Sequence, residues 1–436
     1  MKSDAAPPQA ANTAAQTSPQ MPESFGTTLY GTDQVGDLTH LPPTKISVMP
    51  FRHLELRFAL TGYLRSNIPL VASDGTKYFK AGYGDDPGMY FFVPRLAAFL
   101  NVPVERAYDL FLGTNLIVWF AVGAIGLMLI VHRWPLKLWA IFGYCLLLWF
   151  SYRKADIYTA LSFPVVGIVP WLLYLRRKHS GTLVMGAFLF GTGLLAGTAN
   201  QIRGQAATGL MIFAAILVAF ELKRTWLAKS ALLIALMAGF ALSVAYFDSL
   251  IARRDAFLAA SQPGYTQTVD HHSIWHALYI GLGYLKDNPY VPGYRDEVAL
   301  QAVYSISPST IPLSPEYEHI LREQIFQIAR KDPLFIATTL FAKLRVIIFL
   351  LLCWANFGLV AAAIHPKGWG IEAAFWAALG FNALFGLIAI PQVQYLLGFI
   401  AFALIYGIVS LDWAFEGNRP GEIHARQRAR VQRRFV

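Results

Sequence analysis

The chain is expected to be an all-α polytopic membrane protein, with about nine transmembrane helices plus outward-facing interfacial helices. Three observations lead there. Only 14% of the 436 residues are charged and 56% are hydrophobic, whereas a soluble globular chain carries about a quarter charged residues. The shortage is concentrated in charge-free windows of about 20 residues, the length that crosses a hydrocarbon layer about 30 Å thick. The connecting segments then alternate between cation-rich and cation-poor. Helices are the expected spanning form, since each satisfies its own backbone polar groups and the dyad alternation of a membrane barrel is absent.

Residues 1–45 are rich in Ala, Pro, Gln, Ser and Thr, which reads as a disordered tail. Lys2 is followed by no apolar h-region, so no cleavable signal peptide is expected. Residues 46–108 mix aromatic and apolar residues with charges and contain no spanning window. They read as a first outward segment with interfacial helices. The expected spans lie near 110–131, 137–152, 157–175, 181–199, 206–221 and 227–247, six helices within 109–247. A long outward loop with amphipathic helices fills 248–340. Three further spans, near 341–363, 371–390 and 393–412, occupy 341–412, and 413–436 is a basic cytoplasmic tail. Pro164, Pro170 and Pro391 predict kinks or breaks. Cys145 and Cys353 fall in apolar runs and read as buried thiols rather than a disulfide pair.

One set of loops carries Arg133 and Lys137, then Arg176, Arg177 and Lys178, then Lys223, Arg224 and Lys229, then Lys367. The Arg-rich tail completes the set. The positive-inside rule makes that side cytoplasmic. The net charge of +10 is thereby spent on topology, and no nucleic-acid partner is expected. The remaining segments face outward. With nine spans the N-terminus is also outward, unless residues around 46–72 are partly embedded.

The outward segments carry the candidate chemistry. Asp74 precedes Gly75, and the pair Asp85-Asp86 sits between Gly84 and Pro87. Such turns project carboxylates that can act as a general base, although plain Asp-Gly turns look the same. Arg203 sits in GTANQIRGQAATG beside Asn200, Gln201 and Gln205. Arg153 and Lys154 lie in the neighbouring outward turn with Asp156. Cations on the outward side run against the positive-inside bias, and a guanidinium suits bidentate phosphate binding. Head-group snorkelling or an Arg153–Asp156 pair is the plainer reading.

In the long loop, Tyr78's counterparts as candidate sugar-contacting residues are His271, His272, Trp275, His276 and Tyr284. His272 and His276 are four apart and would share a helical face. A metal there would need a third firm ligand that the spacing lacks, so no cofactor is expected and a divalent metal has no support from ligand spacing. Packing of an amphipathic interfacial helix is the competing reading for this stretch. Arg295, Asp296 and Glu297 are expected to open one helix. Residues 316–346 read as an amphipathic helix that Pro333 turns into the next span. No Gly-rich phosphate loop or Walker lysine is present, so ATP-driven transport by this chain alone is not expected.

Together these features resemble the GT-C-fold membrane glycosyltransferases that use polyprenyl-phosphate sugars. The early match runs from Asp74-Gly75-x-x-Tyr78 through Asp85-Asp86 to Pro94-Arg95. The later match is Ala329-Arg330-Lys331-Asp332-Pro333, followed by Lys343. The resemblance is architectural, covers about residues 70–412 and lacks the span that usually precedes the acidic loop. It implies that Asp74, Asp85 or Asp86 is the catalytic base, and that Arg203 and Lys154 hold the donor phosphate. It further implies a lipid-linked sugar donor, an envelope glycan or lipid acceptor, and an integral position in a bacterial inner or plasma membrane with the active face outward. A non-catalytic lipid-glycan binder or flippase, or a partner subunit of an envelope-assembly complex, is the alternative.

Overall fold

A computed structural model describes residues 87–102, 104–153, 157–261, 274–286, 288–310 and 314–417. The expected tail 1–45, the segment 46–86 with its acidic turns, and residues 418–436 lie outside the described residues.

The described residues form helices and connecting turns, without strands. Helix α1 (Pro87–Leu100) leads into α2 (Val104–Ile130) and α3 (Trp134–Arg153). A 3-10 turn at Ile157–Leu161 precedes α4 (Phe163–Arg177), which is followed by α5 (Thr182–Ile202). Helix α6 (Thr208–Ile216) continues as a π turn through Glu221, before the long α7 (Trp226–Ser261). Three helices then cover one end of the bundle: α8 (Ile274–Gly281), α9 (Asp296–Tyr304) and α10 (Pro315–Lys331). The chain re-enters through α11 (Pro333–Ala355), α12 (Phe357–Ile364), α13 (Trp369–Ile388) and α14 (Leu397–Gly417).

Among the described residues, eight helices are long and apolar enough to cross a membrane. The expected span at 206–221 is instead the shorter apolar helix Thr208–Glu221. At 1.5 Å per residue, its 14 residues reach about 21 Å, less than the hydrocarbon layer. The expected span at 341–363 is divided at Asn356, whose φ is 34° and whose side chain caps α12 through the Phe357 amide at 2.6 Å. The span expected at 227–247 runs on as α7 to Ser261, past Asp248. Pro164 occupies the first turn of α4, where its missing N–H costs no hydrogen bond, while Pro170 lies inside the helix.

Two helices form the centre. The spanning windows at Ile157–Arg177 and Val393–Glu416 are 83% and 78% buried, against 22–39% for the other six. The outer helices present large apolar side chains such as Ile117, Trp149, Leu183 and Phe341 to their surroundings. That is the surface a lipid solvent accepts, since lipid tails are as apolar as a protein core. Cys145 and Cys353 belong to it. Both thiols are exposed and unpaired, which corrects the expectation of burial: an apolar run does not reveal whether a side chain faces lipid or protein.

Backbone contact between small residues joins α5 to α7. A methyl added to Gly193 would lie 2.0 Å from the Leu236 carbonyl oxygen, and one on Gly239 would lie 2.1 Å from that of Phe190. Membrane helices use small residues in this way to gain dispersion contact.

At one end of the bundle, ion pairs join the helix termini. Arg177 bonds the Ile130 carbonyl and pairs with Glu416, and Asp412 lies 3.5 Å away. Arg176 pairs with Glu221, and Lys367 pairs with Glu372 at 2.8 Å. The cation-bearing loops therefore gather at one end, and α8–α10 lie at the other.

Gly193→Ala is expected to lower the melting temperature in detergent, through overpacking worth about 1–3 kcal/mol. Gly191→Ala has nothing within 4 Å of the added methyl and should leave it unchanged. Equal melting of the two variants would remove the close α5–α7 approach.

Candidate functional site

The loop end is built around Arg203. Its position comes from a local turn. Helix α5 ends at Ile202, and Arg203 follows in extended conformation, with its amide bonded to the Ala199 carbonyl at 2.9 Å. Asn200 holds the return: its Oδ1 accepts from the Ala207 amide at 2.7 Å, and its amide donates to Thr208 Oγ1 at 3.2 Å. Thr208 in turn donates to the Gln205 side chain at 2.8 Å, fixing the left-handed φ of 67° at Gln205. The turn leaves the Arg203 guanidinium stacked over the Tyr158 ring, 4.2 Å from its centroid. Such a contact contributes about 0.5–2 kcal/mol, more as water is excluded.

Tyr158 passes the contact on. Its ring meets Tyr395 edge-on at 4.9 Å, and the Tyr294 hydroxyl donates to the Tyr395 hydroxyl at 3.1 Å. Burial above all, and then the proximity of Tyr395, hold the Tyr294 phenol well above its ordinary value, so it stays a proton donor. Residues from the Ile157–Leu161 turn, the turn just before α14 and the long loop thus meet beside Arg203.

Beyond Tyr294, α8–α10 form a compact cap. His276 is only 5% exposed. Its Nδ1 lies 2.6 Å from the Tyr317 hydroxyl, and its Nε2 lies 3.1 Å from Asp296 Oδ1. Both ring nitrogens are engaged by protein, so His276 ties α8, α9 and α10 together. Expected among the sugar-contacting residues, His276 here is a buried link between three helices. Trp275 packs on Phe326 at 5.8 Å, and Tyr284 is half-buried at the end of a 3-10 turn. Asp296 and Glu297 do open α9, with Arg295 at its N-cap. Helix α10 starts with Ser314 accepting from the Tyr317 amide and Pro315 in the first turn. Asp332 ends it and caps α11 through the Phe335 amide at 2.9 Å, so Pro333 turns the chain into the next span as expected.

Beneath this cap, Lys343 of α11 ties that helix to α13. It is 2% exposed, and its Nζ donates to the Leu387 carbonyl at 2.8 Å and the Ile388 carbonyl at 3.4 Å. A cation among the last carbonyls of α13 complements that helix's dipole. Gly281 closes on the same carbonyls, with a Cβ position 2.1 Å from Ile388 O.

The expected carboxylates Asp74, Asp85 and Asp86, together with Tyr78, Lys154, His271 and His272, lie outside the described residues. So does the side chain of Arg153, whose backbone ends α3. The chain leaving Asp86 is nevertheless located from Gly88 onward. A methyl on Gly88 would sit 2.9 Å from the Gln201 carbonyl carbon and oxygen, and 3.0 Å from the Ile202 nitrogen. The start of α1 therefore lies against the residues immediately before Arg203. Tyr158, Tyr294 and Tyr395 were missed in the sequence; their nearest signals were the adjacent Asp156, Arg295 and Pro391.

At the opposite end, His132, Asp412 and Glu416 place ligand-type atoms within 4.8 Å of one another, a group of a kind that could hold a metal ion. Arg177 pairs with both carboxylates, and the His132 amide donates to Asp412 at 2.9 Å. These bonds make the group an ion-pair network that joins α2, α4 and α14. Comparisons with protein-family models, curated proteins and solved structures return no match.

Burial raises the Glu318 carboxyl above its ordinary value, partly offset by the nearby His276 and the Trp275 amide. A carboxyl with a raised folded value favours the fold while protonated in both states, and that advantage is lost as pH rises through the folded value. Glu318→Gln should therefore raise the melting temperature at pH 7, with the gain vanishing below about pH 4. A loss of stability at pH 7 would contradict the desolvated setting of Glu318.

Proposed function

We propose that the chain is an integral membrane glycosyltransferase with a GT-C-like arrangement. It moves a sugar from a polyprenyl-phosphate donor to a cell-envelope glycan or lipid acceptor. The site is the loop end of the bundle, on the outward face of a bacterial inner or plasma membrane.

One observation supports this reading: Gly88, two positions after Asp86 in the sequence, packs on Gln201 and Ile202, the residues immediately before Arg203. A carboxylate next to a guanidinium at a helix end is the pair that single displacement at a sugar phosphate requires. In that reaction a carboxylate, Asp86 or else Asp85 or Asp74, takes the acceptor hydroxyl proton as the oxygen attacks the anomeric carbon. The bond from that carbon to the phosphate oxygen breaks, and the guanidinium of Arg203 stabilises the charge on the departing phosphate. The cation–π contact with Tyr158 holds the guanidinium in place, and a guanidinium suits a phosphate fork. The tyrosines at 158, 294 and 395 supply aromatic faces and hydroxyl groups for a sugar. No metal is required by this scheme.

Purified full-length protein in nanodiscs, given a panel of polyprenyl-phosphate sugars and an envelope extract as acceptor, should release polyprenyl phosphate. Arg203→Ala should slow release about 100-fold or more, and Asp86→Asn should abolish it with melting unchanged. Donor binding without release would favour the non-catalytic binder. Wild-type rates in Arg203→Ala would remove the proposed phosphate site.

A further inference from the structure

At the end opposite Arg203, a cleft of about 410 Å³ opens between the end of α4, the start of α5, the π turn after α6, and α14. Arg176, Arg177, Lys223 and Arg224 line it, with Glu221 and Glu416. Four permanent cations face two carboxylates, which leaves an excess of two positive charges before His179 is counted. The existing bonds show how the excess is arranged. Arg176 pairs with Glu221 and Arg177 with Glu416, so those two guanidinia are held rigidly in the wall. Arg224 bonds the Ser180 carbonyl, and its Nη1 donates to Thr182 Oγ1 at 3.2 Å. Lys223 and His179, both exposed, have no ionic partner among the described residues. The remaining wall is apolar, with Leu175, Met185 and Leu222.

From this cleft we infer that the protein binds the head group of an anionic membrane lipid at its cation-bearing end. The shape fits that ligand class. Fixed guanidinia and a free ammonium at the mouth suit a phosphodiester. The apolar wall beside them suits the first part of an acyl chain, which a free phosphate would leave uncovered. Basic pockets between helices at the charged surface of a membrane hold anionic head groups in this way. Ordinary positive-inside loops need cations at the surface but no cleft and no buttressing carboxylates. The chain's own C-terminal residues are no rival occupant, because Arg426, Arg428, Arg430, Arg433 and Arg434 would repel the site. This site is separated from Arg203 by the full length of α5, about 30 Å for 21 residues, so it stands independently of the transferase reading.

Native mass spectrometry of the full-length protein tests this, with phosphatidylglycerol and phosphatidylcholine added in turn from mixed micelles. Phosphatidylglycerol should be retained about tenfold more strongly. That preference should fall severalfold in Lys223→Gln, which touches no structural bond, and further in Lys223→Gln with Arg224→Gln. Millimolar inorganic phosphate should not displace the lipid. Equal retention of the two lipids would overturn the inference, as would an unchanged preference in Lys223→Gln. Displacement by inorganic phosphate would show a free-anion site instead and would equally overturn it.

Discussion

The contact between the Arg203 guanidinium and the Tyr158 ring is the hinge of the structure. A cation at the end of a membrane helix must be kept wet, paired or spread over a polarisable surface, because desolvating it alone costs several kcal/mol. Here the guanidinium carbon lies over an aromatic ring, 4.2 Å from its centroid, a cation–π contact. The same ring meets Tyr395 from the turn just before α14, and Tyr395 meets Tyr294 from the covering loop. One stacked cation therefore joins the end of α5, the most buried helices and the cap.

The two ends of the bundle handle charge differently. At the cation-bearing end, guanidinia and carboxylates pair across helix termini: Arg176 with Glu221, Arg177 with Glu416, Lys367 with Glu372. Burial draws the Lys367 ammonium below its ordinary value, and Glu372 opposes the shift. At the loop end, aromatic rings and backbone carbonyls do most of the work around Arg203 and Lys343. Within the cap, His276 also meets Asp296, and Arg322 pairs with Glu323 at 3.6 Å. Ion pairs fix positions at the first end, where the proposed lipid cleft lies at the rim, and the proposed transferase site lies at the second.

The main features of the fold were legible in the sequence because lipid leaves few choices: long apolar runs must be helices. Local capping chemistry was legible too. Ser314-Pro315 and Asp332-Pro333 mark the ends of α10 in the letters themselves, and Asp296-Glu297 marks the start of α9. What stayed hidden depends on long-range packing. Asn356 breaks an apolar run with a left-handed φ that no neighbouring residue announces. The cysteines could not be assigned to lipid or core, since both are apolar. His276 has the spacing of a binding residue, yet its two nitrogens are consumed by Tyr317, 41 positions later, and Asp296, 20 positions later. The tyrosines beside Arg203 come from three distant segments, and only the folded chain brings them together.

Oxidative cross-linking in native membranes tests the shared site most directly. The background would be a chain whose Cys145 and Cys353 are replaced by serine, and the pair would be Asp86→Cys with Arg203→Cys. A Gly197→Cys, Ser243→Cys pair, whose Cβ positions adjoin across α5 and α7, would serve as the positive control. Rapid, specific formation of the 86–203 disulfide is the expected result. Its absence while the control pair links would place the carboxylate-bearing chain away from Arg203, and the transferase site would then fall while the helical bundle stood.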